Sequence, residues 1–134
     1  MIFLPKNVDL NDLLKCITDL SWEVLKILKS YSENIKNSKE FHRNLNIINH
    51  DSGPVTLADI EISEFIKNKL IDKFPLSEWD FLSEEDAKND QSKKFESKWI
   101  WIIDPIDGTK DFINQTGEFA VHIALLFEKK IILG

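Results

Sequence analysis

Apolar residues recur at helical spacing from Asp9 to about Ser32, at Leu10, Leu13, Leu14, Ile17, Leu20, Val24, Leu25, Leu28 and Tyr31. That period predicts an amphipathic helix with one buried stripe. Asp9 is placed to cap it, and Asp12 adds favourable charge to its first turn. From Glu33 to Asn46 the chain turns polar and rich in Lys and Asn, which reads as a solvated connection. Leu45 to Asn49 predicts a short strand, followed by a turn at Asp51-Ser52-Gly53-Pro54. A second helix is expected to run to about Phe74, with Ile62, Phe65, Ile66, Leu70 and Phe74 on its buried face and Pro75 ending it. Thr56 and Asp59 at its start fit the reciprocal capping box, with Asp in place of the usual Glu.

Beyond Pro75 the period shortens. Trp79 to Leu82 predicts a short strand that runs into Ser83-Glu84-Glu85-Asp86. Ala87 to Lys98 is highly polar and reads as a mobile surface connection. Trp99 to Asp104 opens on an unbroken apolar run, the pattern of a strand buried on both faces. Pro105 has no N–H for a ladder, so that strand is expected to stop at Asp104. Asn114 to Gly117 turns the chain. Glu118 to Phe127 is strand-like, Glu128-Lys129-Lys130 is a turn, and Ile131-Ile132-Leu133 begins another strand, which together predict an antiparallel hairpin. The sum is an α+β fold with two helices packed on one face of a mainly antiparallel sheet.

Candidate chemistry sits at the end of the Trp99 strand, in Asp104-Pro105-Ile106-Asp107-Gly108-Thr109-Lys110-Asp111-Phe112. Two carboxylates brought together at the end of a buried strand repel each other and lose hydration, so they need a counter-charge. A divalent cation serves, and hard oxygen ligands suit Mg²⁺. Gly108 permits close backbone approach, and the N–H groups after it are free to face a phosphate. Spacing alone also suits an ordinary strand and Asp-Gly turn, and the acidic run at Glu84 suits a solvated turn. His42 and His50 read as surface residues, and His122 alternates with apolar neighbours and receives no ligand role.

The wording is more specific than the spacing. Asp104-Pro105-Ile106-Asp107-Gly108-Thr109 resembles the signature of the inositol monophosphatase superfamily, whose members are Mg²⁺-dependent, lithium-sensitive phosphatases. Lys110-Asp111-Phe112 resembles its 3′(2′),5′-bisphosphate nucleotidase branch, as do Pro54-Val55-Thr56-Leu57-Ala58-Asp59, Ser83-Glu84-Glu85-Asp86 and the Gly117-to-Leu125 segment. The resemblance implies that Glu84, Asp104 and the Ile106 carbonyl hold one Mg²⁺, and that Asp104 and Asp107 hold a second. It implies that Thr109 and Glu84 orient the attacking water, with Asp59 paired to Thr109, and that Gly108, Thr109 and Lys110 bind substrate. Glu85 is then a supporting or exposed residue. Where the branch carries a Lys before the first turn, this chain has Asn49.

The rest bounds these expectations. At 134 residues, 43% apolar and 30% charged, the chain suits one soluble domain. A net charge of −6 with scattered Lys argues against a nucleic-acid polymer as partner. Cys16, the single cysteine, reads as a packing residue, and no disulfide within the chain is possible. No apolar run approaches a membrane span, which makes the cytoplasm the expected compartment. By resemblance, residues 1–134 form the N-terminal part of a phosphatase domain, and a third metal-ligating Asp lies outside the sequence. The expected substrate is a small phosphorylated molecule, either a nucleoside bisphosphate such as adenosine 3′,5′-bisphosphate or an inositol phosphate. The alternative is a non-catalytic remnant, or a subunit that needs a complementary C-terminal half. Self-association of the exposed sheet is expected in either case.

Overall fold

The computed structural model describes residues 3–37, 48–50, 53–89 and 94–134. Helix α1 spans Leu10–Asn37, strands β1 and β2 span Ile48–His50 and Gly53–Val55, and helix α2 spans Leu57–Lys73. Strand β3 (Trp79–Ser83), the short helix α3 (Glu84–Asn89), strand β4 (Trp99–Asp107) and helix α4 (Thr109–Asn114) follow. Strands β5 (Ala120–Phe127) and β6 (Lys130–Leu133) complete the described elements.

Asp9 caps α1 as expected, its Oδ1 accepting from the N–H groups of Asn11 (2.8 Å) and Asp12 (3.1 Å). The helix runs past Ser32 to Asn37, so the expected solvated connection begins later than the polarity suggested. Ile35 accounts for the extra turn: it continues the stripe of Leu28 and Tyr31 and is buried. Of the strand predicted at Leu45–Asn49, residues 45–47 lie outside the described residues, and Ile48 and Asn49 fall in the strand Ile48–His50, paired antiparallel with Gly53–Val55. His42 lies outside the described residues, as do the side chains of Asn49 and His50.

The main sheet has the order β3-β4-β5-β6. β3 and β4 are parallel, and the other two pairs are antiparallel. The sheet is therefore mixed, with antiparallel pairing in the majority. Helix α2 packs on β4 and α1 packs on α2. Trp101, Ile103 and Leu125 face them and join Leu13, Leu20, Ile62, Ile66 and Leu70 in the core. Trp79 stacks on Trp101, with ring centroids 5.1 Å apart and planes 8° apart, and Phe74 stacks on Trp79 in turn. These rings lock the end of α2 to the start of the sheet.

β4 is not buried on both faces. Trp101 and Ile103 are buried, but Ile102 between them is 36% exposed. Register puts Ile100 opposite Leu126 and Ile102 opposite Ala124 on the far side, where Leu82 and Ile131 join them. An apolar run produced by one covered face and one open apolar face looks the same in sequence as one covered twice.

The β5–β6 hairpin turns at Glu128 and Lys129, both at positive φ (47° and 67°). That is the primed two-residue turn whose twist matches flanking strands, formed here without glycine.

Candidate active site

β4 does not stop at Asp104. It continues to Asp107 through an irregularity: Asp104 faces His122 and Asp107 faces Ala120, so three steps on β4 match two on β5. The one extra residue is a bulge, and Pro105 sits inside it, where no ladder donor is needed. Pro105 and Ile106 are both buried, while Asp107 emerges to solvent. The bulge thus breaks the strict alternation and re-aims the residues after Asp104.

Gly108 then turns the chain into α4 at φ 81°, ψ 42°. A Cβ there would meet the Glu118 carbonyl oxygen at 2.7 Å, so glycine is required both for the conformation and for the close approach. Thr109 is the first residue of α4, and its hydroxyl donates to the Ile106 carbonyl at 3.0 Å. Lys110 follows, exposed. Phe112 anchors the helix from below, buried edge-on against Phe119 with centroids 4.9 Å apart.

A second capping box, unnoticed in the sequence, sets Glu84. The Ser83 N–H donates to Asp86 Oδ2 and the Asp86 N–H donates to Ser83 Oγ, both at 3.2 Å. Ser83-Glu84-Glu85-Asp86 is therefore a strand end and helix start rather than a solvated turn. Lys67 holds Asp86 from α2 at 3.7 Å. Glu84 is the half-buried first residue of α3, and the side chain of Glu85 is outside the described residues. The parallel pairing of β3 and β4 puts Ser83 level with Ile103, which brings Glu84 to the same sheet end as Asp104.

Asp104 is where these carboxylates are felt together. Its pKa is pushed up to about 6, first by burial, then by the charges of Glu84 and Asp107; His122 pulls it down and Asp59 pushes it up. Its Oδ1 is buried with no hydrogen-bond partner. An oxygen kept from water beside two further carboxylates is what a hard cation relieves, so the donor chemistry fits a divalent metal. The convergence is incomplete: among the described residues, no three His, Cys, Asp or Glu are close enough to hold an ion together.

Asp59 is placed by its capping box. Its Oδ2 accepts from the Thr56 N–H at 3.0 Å and the Thr56 hydroxyl at 2.7 Å, and its own N–H donates to Thr56 Oγ1. The capping box is present, and the Thr109 hydroxyl, which the resemblance pairs with Asp59, donates to the Ile106 carbonyl instead. An apolar cleft of about 520 Å³ lies elsewhere, between α1 and β5, lined by Leu20, Trp22, Val24, Leu25, Phe119 and Val121. It holds none of these carboxylates.

Sequence reasoning passed over His122, which only strand register sets opposite Asp104.

Comparison with known proteins places the chain in a family. The model of the inositol monophosphatase family matches residues 9–134. The 3′(2′),5′-bisphosphate nucleotidase CysQ of Aggregatibacter actinomycetemcomitans is 32% identical over 118 residues, covering 87% of this chain and 42% of that protein. CysQ of Escherichia coli K12 is 42% identical over 84 residues, 63% of this chain and 33% of that one. Among solved structures, a lithium-soaked inhibitory complex of staphylococcal inositol monophosphatase-1 superposes with a TM-score of 0.63 at 26% identity, covering 94% of this chain and 43% of that one. The chain thus spans a third to somewhat under half the length of these relatives.

Proposed function

The chain belongs to the inositol monophosphatase family, and from that membership we propose that residues 1–134 carry the metal- and phosphate-binding part of a Mg²⁺-dependent phosphomonoesterase. The substrate proposed is a nucleoside 3′(2′),5′-bisphosphate, with adenosine 3′,5′-bisphosphate going to AMP and phosphate, in the cytoplasm. The observation that carries the reading is the buried, unpartnered Oδ1 of Asp104 at a strand end where Glu84 and Asp107 raise its pKa. Similarity to two proteins named CysQ supports the choice of substrate, as does Lys110 directly after Thr109.

Glu84, Asp104, the Ile106 carbonyl and Asp107 are the proposed ligands. When bound, Mg²⁺ supplies Lewis acidity to the phosphoryl group and to water. Glu84 and Thr109 orient the attacking water. For Asp59 to take a proton through Thr109, the Thr109 hydroxyl must leave the Ile106 carbonyl, to which it donates here. The Gly108 and Thr109 N–H groups at the start of α4 face the phosphate, and Lys110 adds positive charge. A second reading, inositol monophosphate hydrolysis with the same residues, is favoured by the superposition on the staphylococcal enzyme.

The test is phosphate release from adenosine 3′,5′-bisphosphate and from inositol monophosphate, side by side, with and without Mg²⁺ and lithium. The 134-residue chain alone is expected to be nearly inactive and to gain activity when joined to the remaining part of a relative. In that enzyme Thr109→Ala should lower kcat much more than it raises KM. Activity on neither substrate in the completed enzyme would point to a non-catalytic chain.

A further inference from the structure

His122 and Asp104 are direct partners across the β4–β5 ladder, the last regular pair before the bulge. Directly opposed residues of an antiparallel pair hold their Cβ atoms about 5 Å apart and project to one face. That face is the open one, shared with Ile102 and Ala124, so the imidazole and the carboxylate enter the same space. His122 is exposed, while Asp104 is partly buried.

The imidazole lies close enough to act on the charge of Asp104, yet it is not bonded to Oδ1, which has no partner. A hydrogen bond from His122 to that oxygen would have made the histidine a simple support for the carboxylate. Left unbonded to each other, the imidazole and the carboxylate oxygen are each available to a third partner, although among the described residues no three such groups are yet close enough to hold an ion. Carboxylate, carbonyl and water suit Mg²⁺, whereas imidazole suits later first-row ions.

We propose that His122 supplies a nitrogen ligand to the cation held at Asp104, shifting the site's preference from Mg²⁺ toward the later first-row divalent ions. The proposal rests on the reading of Asp104 as a metal ligand and adds a residue and a metal class to it.

The 134-residue chain loaded with Mn²⁺ tests this by pulsed electron paramagnetic resonance, which detects a coordinated imidazole nitrogen directly. The wild-type chain should show that nitrogen signal and His122→Thr should lose it. His122→Thr should also weaken Zn²⁺ binding about tenfold, with a smaller effect on Mg²⁺. Because His122 is exposed on a strand and threonine favours strands, the variant should keep the wild-type circular dichroism. Bound Mn²⁺ with no imidazole signal, or with a signal unchanged in His122→Thr, overturns the proposal while Asp104→Asn still weakens binding. Mn²⁺ affinity unchanged in Asp104→Asn, or no Mn²⁺ binding by the wild-type chain, overturns the reading of Asp104 as well.

Discussion

Thr56 and Asp59 bond to each other through three hydrogen bonds in the buried first turn of α2: Thr56 N–H and Oγ1 to Asp59 Oδ2, at 3.0 and 2.7 Å, and Asp59 N–H to Thr56 Oγ1, at 3.3 Å. Both residues are almost wholly buried. Asp59 is therefore structural whatever else it does. Asp59→Ala leaves the Thr56 N–H and hydroxyl short of acceptors away from water, and should cost about 1–3 kcal/mol. Urea denaturation reads this as a lower midpoint with unchanged slope. An unaltered midpoint would show that the cap contributes nothing and that Asp59 is kept for chemistry alone.

Two glycines at similar φ should respond differently to alanine. At Gly117 (φ 86°) nothing lies within 4 Å of an added Cβ, so Gly117→Ala carries only the left-handed backbone cost of about 1–2 kcal/mol. At Gly108 (φ 81°) the same Cβ adds a 2.7 Å clash with the Glu118 carbonyl. Gly108→Ala should therefore destabilise by more than Gly117→Ala, and should shift the backbone amide resonances of Thr109 and Glu118. Equal thermal midpoints for the two variants would mean that the backbone at Glu118 yields freely.

Much of this was legible in the sequence because it rests on local signals. Asp9 as a cap, the Thr56–Asp59 box, Pro75 after α2 and the Glu128-Lys129 turn all depend on neighbours a few positions apart. That Glu84 and Asp107 act on Asp104 was suggested only by the wording of the motifs. Register and tertiary cover were not legible. Pro105 signalled a stop because a bulge that excuses it depends on β5. The Ser83–Asp86 box was masked by an acidic run that looks solvated. His122 could not be paired with Asp104 before the β4–β5 register was known. The open face behind Ile102 could not be told from a covered one.

Asp104 gives the apo chain a pH dependence with a definite sign. Its pKa is raised from 3.8 to about 6 in the folded state, mainly by burial and by Glu84 and Asp107. Between those values the folded chain holds more protons at this site than the unfolded chain, so stability falls as pH rises. The contribution of Asp104 to stability should be greatest below about 4 and lost as pH passes 6. Other carboxylates titrate over the same range, so the measurement is a difference. Wild type and Asp104→Asn should diverge as pH rises from 4 to 6, with the variant gaining relative stability. Parallel stability profiles would place the Asp104 carboxylate in ordinary solvent.

The open side of the sheet yields a prediction about association. Leu82, Ile100, Ile102, Ala124, Leu126 and Ile131 share that side by register, and no described helix lies across them as α1 and α2 do on the other side. Ile102 is 36% and Ile131 71% exposed. β6 also stands at the sheet edge, paired on one side alone among the described strands. An apolar face continuous with an open edge favours burial against another chain. The 134-residue chain in isolation should therefore self-associate, with a weight-average mass that rises with concentration in sedimentation equilibrium. Ile131→Lys puts a charge on this face and edge without touching the core, so it should lower that mass toward the monomer and leave the thermal midpoint nearly unchanged. A strictly monomeric wild-type chain at high micromolar concentration would mean that water tolerates this face. Association unaffected by Ile131→Lys would move the contact to another surface, with Trp22 and Leu25 beside the α1–β5 cleft, at 64% and 51% exposure, the next to substitute.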